Sequence, residues 1–92
     1  MDISSIKSQI SKLNLNGFKL VQTKDNSLLL LKSKLKYSDC IYINLNDNNI
    51  EIIHDKVFDN KTFYKGIERL LLSKIEVENQ VELFRYLISI LR

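Results

Sequence analysis

The sequence predicts an α+β domain: an N-terminal helix, a four-stranded antiparallel meander sheet and two C-terminal helices. Three observations carry this expectation. Apolar residues recur at helical spacing at the start of the chain and again from about residue 60 to its end. Between them lie runs that alternate apolar and polar residues, the signature of strands. The runs are separated by short Asn- and Asp-rich stretches with no helical crossover, which is the pattern of hairpins and not of a parallel sheet.

The first helix is read from Ile3, Ile6, Ile10 and Leu13, spaced three, four and three, which places them on one stripe at the a and d positions of a heptad. Asp2 or Ser4 can cap its start, and Gly17 is placed to stop it after an Asn-rich exit. Such a stripe packs on its own domain or forms the end of a coiled coil. In the second case Ile3, Ile6, Ile10 and Leu13 are the seam of a dimer.

The first hairpin is read from the alternation of Phe18, Leu20 and Gln22 with Lys19, Val21 and Thr23. The turn Lys24-Asp25-Asn26-Ser27 then leads to Leu28–Leu31, read as a strand buried on both faces. The second is read from Ile41, Ile43 and Leu45 alternating with Tyr42 and Asn44, then Asn46-Asp47-Asn48-Asn49, then Ile50, Ile52 and His54. Asn and Asp suit the turn because they tolerate left-handed backbone.

A helix is then expected from a cap at Asp59 or Asn60, with Phe63, Ile67, Leu70, Leu71 and Ile75 at helical spacing. The closing helix spans Val77 to Leu91. It carries Val81, Phe84, Ile88 and Leu91 on one stripe and Leu83, Leu87 and Ile90 on an adjoining one, a wider apolar arc than one small core requires. Leu83, Leu87 and Ile90 are therefore candidate partner-binding residues, the alternative being that the helix sits deep between the sheet and its neighbour.

Composition bounds the function. Ninety-two residues, 45% apolar and 27% charged, make one globular domain with a single core. No apolar run reaches the roughly 18 residues of a membrane span and the N-terminus has no signal-type apolar region, so an intracellular protein with no membrane association is expected. The single cysteine, Cys40, has no internal disulfide partner and fits a reducing compartment. The chain has no Ala, Pro or Trp and is rich in Ile, Lys and Asn, the codon bias of an AT-rich genome, which weakens any reading of its lysines. The net charge of +3 comes from the first half, where seven lysines face three aspartates up to Asn46.

Motifs for catalysis are absent. His54 is the sole histidine and its sequence neighbours Glu51 and Asp55 bring no soft ligand, so no metal is expected and a histidine at a strand end reads as structural. Cys40 has no CxxC partner, and Gly17 and Gly66 are too few for a phosphate-cradling loop, so neither a cofactor nor an enzyme is expected. Lys32, Lys34 and Lys36 would share one face of a continuing strand and are the possible phosphate contacts. They include no Arg, however, and a lysine row more often protects a sheet edge, so nucleic-acid binding is the lesser reading.

The expected order of helix, four strands, helix and helix resembles the RWD fold, in particular the shortened RWD heads that cap coiled coils in kinetochore proteins. Cys40-Ile41-Tyr42-Ile43-Asn44-Leu45 followed by Asn48-Asn49-Ile50-Glu51-Ile52-Ile53 is similar to the third and fourth strands of such heads. Ile75 to Leu91 resembles their closing pattern through Val81, Phe84, Ile88 and Leu91. RWD domains commonly carry proline after the fourth strand, where this chain has His54 to Phe58. The resemblance implies a nuclear, non-enzymatic protein–protein interaction module that forms a homodimer, or a heterodimer with a similar domain, and holds a partner's peptide or helix. Two other classes compete. One is a small inhibitor or accessory protein of a mobile element that binds a host protein, a reading favoured by a chain that starts at Met1 with no coiled coil before it. The other is a weak nucleic-acid binder of the double-stranded-RNA type, which the lack of a Lys-rich start to the last helix counts against.

Overall fold

Among the described residues, two helices and five strands follow one another as α1 (Ile3–Ser11), β1 (Lys19–Lys24), β2 (Ser27–Ser33), β3 (Tyr37–Leu45), β4 (Ile50–Phe58), β5 (Arg69–Val77) and α2 (Gln80–Ile90). They come from a computed structural model that describes residues 2–58 and 68–92. The five strands form one sheet in the order β1-β2-β3-β4-β5, and every neighbouring pair is antiparallel.

The hairpins fall where the turn residues put them. Two residues, Asp25 and Asn26, separate β1 from β2, and Asn26 Nδ2 donates to the Leu45 carbonyl at 3.1 Å. Between β3 and β4 the Asn46 amide donates to the Asn49 carbonyl at 2.9 Å, and Asn46 Nδ2 donates to Asn49 Oδ1 at 2.9 Å. Gly17 does not stop α1, which ends at Ser11. It lies in the connection to β1 with φ +92°, next to Asn16 at φ 52°, and both are left-handed positions where the chain turns back toward the sheet.

The main departure from the expected fold is β5. Leu70, Leu71 and Ile75 satisfy a helical period, yet Arg69–Val77 is a strand, so the sheet has five strands and only one helix follows it. The helix cap expected at Asp59 or Asn60, with Phe63 and Ile67, lies outside the described residues. The physical reason is the ladder. Without β5, the backbone groups of β4 would end at an unpaired edge, and β4–β5 pairing runs from Ile50↔Val77 to Val57↔Arg69. Ser73, Ile75 and Val77 also alternate with Lys74 and Glu76, a period of two that suits one buried and one exposed face. The register slips by one residue between His54↔Ser73 and Asp55↔Leu71, leaving Leu72 as the extra residue of a bulge.

Both helices pack on the same face of the sheet. The core joins Ile6 and Ile10 of α1, Leu83 and Leu87 of α2, and the inward positions Leu28, Leu30, Ile41, Ile43, Ile50 and Ile52, all fully buried. At each end of the core a cap fixes the helix start. Asp2 accepts the Ser4 amide at 3.1 Å, and Asn79 Oδ1 accepts the Glu82 amide at 3.0 Å while Glu82 reaches back to the Glu78 amide at 2.9 Å. Among the described residues, no helix is long and apolar enough to cross a membrane.

Candidate functional site

The strand alternation that fills the core from one face of the sheet points the intervening residues to the other. Val21, Leu29, Leu31, Tyr42, Ile53, Val57 and Leu71 lie on this second face, and among the described residues no element packs over it. Leu71 keeps 57% of its surface exposed and Val21 44%, while Leu29, Tyr42 and Ile53 are half-buried by their neighbours in the sheet. Polar residues at one end of this face bond to each other: Ser27 Oγ donates to Asn44 Oδ1 at 2.8 Å, and Asn44 Nδ2 donates to Glu51 Oε1 at 3.1 Å. Glu51 also meets Lys74 at 3.6 Å, and Thr23 Oγ1 donates to the Ser27 carbonyl at 3.4 Å.

Asp55 is the exception on this face. It is 3% exposed, flanked in the ladder by Cys40 of β3 and Leu71 of β5. Its Oδ2 meets Arg69 Nε at 3.4 Å, and the Arg69 guanidinium also lies 5.9 Å from the centre of the Tyr42 ring. Among the described residues, Oδ1 of Asp55 is the buried side-chain oxygen or nitrogen without a hydrogen-bond partner. Burial pushes the Asp55 carboxyl above the ordinary carboxylate range, and the Arg69 and His54 charges only partly offset it. Burial also raises the Cys40 thiol and the Tyr42 hydroxyl, so the thiol stays protonated and is a poor nucleophile. Asp55, Arg69, Tyr42, Asn44 and Ile53 line an open depression of about 330 Å³ that extends to Thr23 and Lys24.

On the helix side, His54 Nε2 lies 2.7 Å from Asp39 Oδ1, and both are mostly buried. His54 is in the middle of β4, not at a strand end, and it faces Ile41 and Ser73 across the two ladders. Ser73 Oγ lies 3.0 Å from Tyr86 Oη, which ties α2 to β5. No spacing in the sequence announces these pairs, because strand register brings together residues 15 apart in one and helix-on-sheet packing residues 13 apart in the other.

The residues singled out from the sequence are placed differently. Ile6 and Ile10 fill the domain's own core, with Ile3 and Leu13 half-buried against it, so the seam drawn through Ile3, Ile6, Ile10 and Leu13 is occupied from within. Leu83 and Leu87 are fully buried and Ile90 packs against the core, so the partner-binding stripe Leu83, Leu87 and Ile90 faces the sheet. The adjoining stripe is divided: Val81 and Ile88 turn outward, 60% and 50% exposed, while Leu91 lies in the core and Phe84 packs against it. The sheet face therefore covers Leu83 and Leu87 fully and reaches the edges of the second stripe, leaving Val81 and Ile88 on the far side of the helix. Lys32, Lys34 and Lys36 form no strip. β2 ends at Ser33, Lys32 Nζ bends back to the Asn16 carbonyl at 2.8 Å, and Lys34 Nζ lies 5.7 Å from the centre of the Tyr37 ring.

Compared with known proteins, the chain has no match: no family model, no curated protein and no solved structure aligns with it.

Proposed function

We propose that this domain is a non-enzymatic protein-binding module, and that it receives an extended segment of another protein on the helix-free face of its sheet, the face over which no helix packs among the described residues. The observation that supports this reading is the one-sided packing of the helices. It leaves Val21 and Leu71 exposed and Leu29, Tyr42 and Ile53 half-buried on one continuous surface. An apolar surface rimmed by polar residues is the usual form of a protein contact site.

Complementarity selects the occupant. The depression offers a buried acceptor at Asp55 Oδ1 beside a donor at Arg69, with apolar residues on either side. That suits an uncharged polar group flanked by apolar side chains better than a charged helix or a nucleic-acid backbone. The reading does not depend on the RWD resemblance, because that resemblance was carried by an order of elements from which the fifth strand departs. It is compatible with either setting expected from the sequence, since both require the domain to hold another protein.

Peptides selected from a displayed library on the full chain provide the test. Val21→Asp and Leu71→Asp change exposed residues of the helix-free face and should weaken the selected peptides by about tenfold or more. Val81→Asp and Ile88→Asp, on the outer side of α2, should leave the affinity unchanged. The opposite pattern would overturn the proposal. So would sedimentation as a dimer that Leu71→Asp dissociates, because a second copy would then be the occupant.

A further inference from the structure

We infer that the Asp55–Arg69 pair is a recognition site for a primary carboxamide, the side chain of an asparagine or glutamine carried by the partner segment. The inference rests on the helix-free face being the docking surface and adds what is read there. A buried carboxylate oxygen without a partner is rare in a folded protein, because the desolvation it suffers is recovered only when a donor reaches it. Asp55 Oδ1 is such an oxygen, closed off from solvent, and its residue is one of those lining an open depression.

The chemistry of the pair chooses among donors. Arg69 already meets Oδ2 through Nε at 3.4 Å, so a second cation at Oδ1 would lie beside a guanidinium and be repelled by it. An anion would be attracted by Arg69 but would face the Asp55 carboxylate. A neutral group avoids both penalties. Of the neutral groups, a hydroxyl can satisfy Oδ1 but leaves the guanidinium N–H groups to water, whereas a carboxamide carries an N–H and a C=O side by side. Its N–H donates to Asp55 Oδ1 while its oxygen accepts from the Arg69 guanidinium, which has N–H groups beyond Nε to offer.

Access is through Arg69. Its side chain is 60% exposed and can swing aside without disturbing the core, and the Tyr42 ring, 5.9 Å from the guanidinium, gives the incoming group an apolar wall. Toward β1, Thr23, Ser27 and Asn44 are engaged in hydrogen bonds and compete little for the ligand, and the cationic Lys24 also lines the depression.

The test is a titration of the isotopically labelled full chain with three probes of similar size, propionamide, propionate and propylammonium, observed at the Asp55 carboxyl carbon and Arg69 Nε. Propionamide should shift both signals saturably, and Arg69→Leu should weaken it by about tenfold or more. Asp55→Asn should weaken it comparably, read at Arg69 Nε. Propionate or propylammonium shifting Asp55 more strongly than propionamide would overturn the inference, as would the absence of a shift with all three. Failure here is separable from failure of the docking surface. Peptides that still depend on Val21 and Leu71 while propionamide leaves Asp55 unmoved would retain the surface and reject the carboxamide.

Discussion

Tyr86 Oη lies 3.0 Å from Ser73 Oγ, a contact that joins the closing helix to the fifth strand across the helix-bearing face. The strand is the element that the periodicity of Leu70, Leu71 and Ile75 predicts as a helix, and the contact exists only because Ser73 faces inward from a strand. Tyr86→Phe should cost about 0.5–1.5 kcal/mol, the net worth of a partly buried hydrogen bond, measured by urea unfolding. No change in the midpoint would mean that both hydroxyls are satisfied by water.

The orientation of α2 is tested by two pairs of truncations. Leu83→Ala and Leu87→Ala should each destabilise the domain by roughly 2–5 kcal/mol, because both side chains are fully buried in the core. Val81→Ala and Ile88→Ala should each stay within about 0.5 kcal/mol, because both lie outward. Equal losses in the two pairs would mean that the outer stripe is also packed.

Much of this architecture was legible in the sequence. The three-four-three spacing of Ile3, Ile6, Ile10 and Leu13 identifies α1, and the Asn-rich turn of residues 46–49 identifies the β3–β4 hairpin, because both are local signals that folding leaves in place. The fifth strand is not legible in this way, because a short apolar run such as Leu70-Leu71-Leu72 satisfies either period and only the unpaired edge of β4 decides between them. The alternation of Ser73, Ile75 and Val77 was the signal available. The sites are less legible for a related reason: spacing identifies which residues share a stripe but not what covers it. Spacing therefore leaves Ile6, Ile10, Leu83 and Leu87 open to either their own core or a partner, and the sheet takes them. In the sequence Asp55 reads only as a neighbour of His54, since the strands that flank it are far apart in the chain.

Asp55 gives a pH signature with a definite sign. Its carboxyl is raised in the folded protein by burial, against the lowering effect of Arg69 and His54 and with a further rise from Asp39, so the native state binds the proton more tightly than the unfolded chain. The stabilisation from that proton is fully present below the unfolded carboxylate pKa and is lost as pH rises through the folded one. Asp55→Asn should therefore remove this decline and raise the melting temperature at neutral pH. A steeper decline with pH in the variant would show that Asp55 is stabilised as the anion.

Gly17→Ala should destabilise by about 1 kcal/mol or more, because the residue has φ +92° and an added Cβ would lie 3.2 Å from Lys32 Cε. The same variant should loosen the Lys32 hydrogen bond to the Asn16 carbonyl. Unfolding by denaturant reads the first effect, and the chemical shift of the Lys32 ammonium reads the second. An unchanged midpoint would mean that the loop relaxes out of the left-handed conformation.

The proposal stands most directly on where a selected peptide lands. Mapping backbone amide shifts of the full chain on titration with such a peptide should move Val21, Leu29, Tyr42, Ile53 and Leu71, which share the helix-free face. Shifts gathered instead on α2 around Val81 and Ile88, with the sheet residues unmoved, would contradict the account.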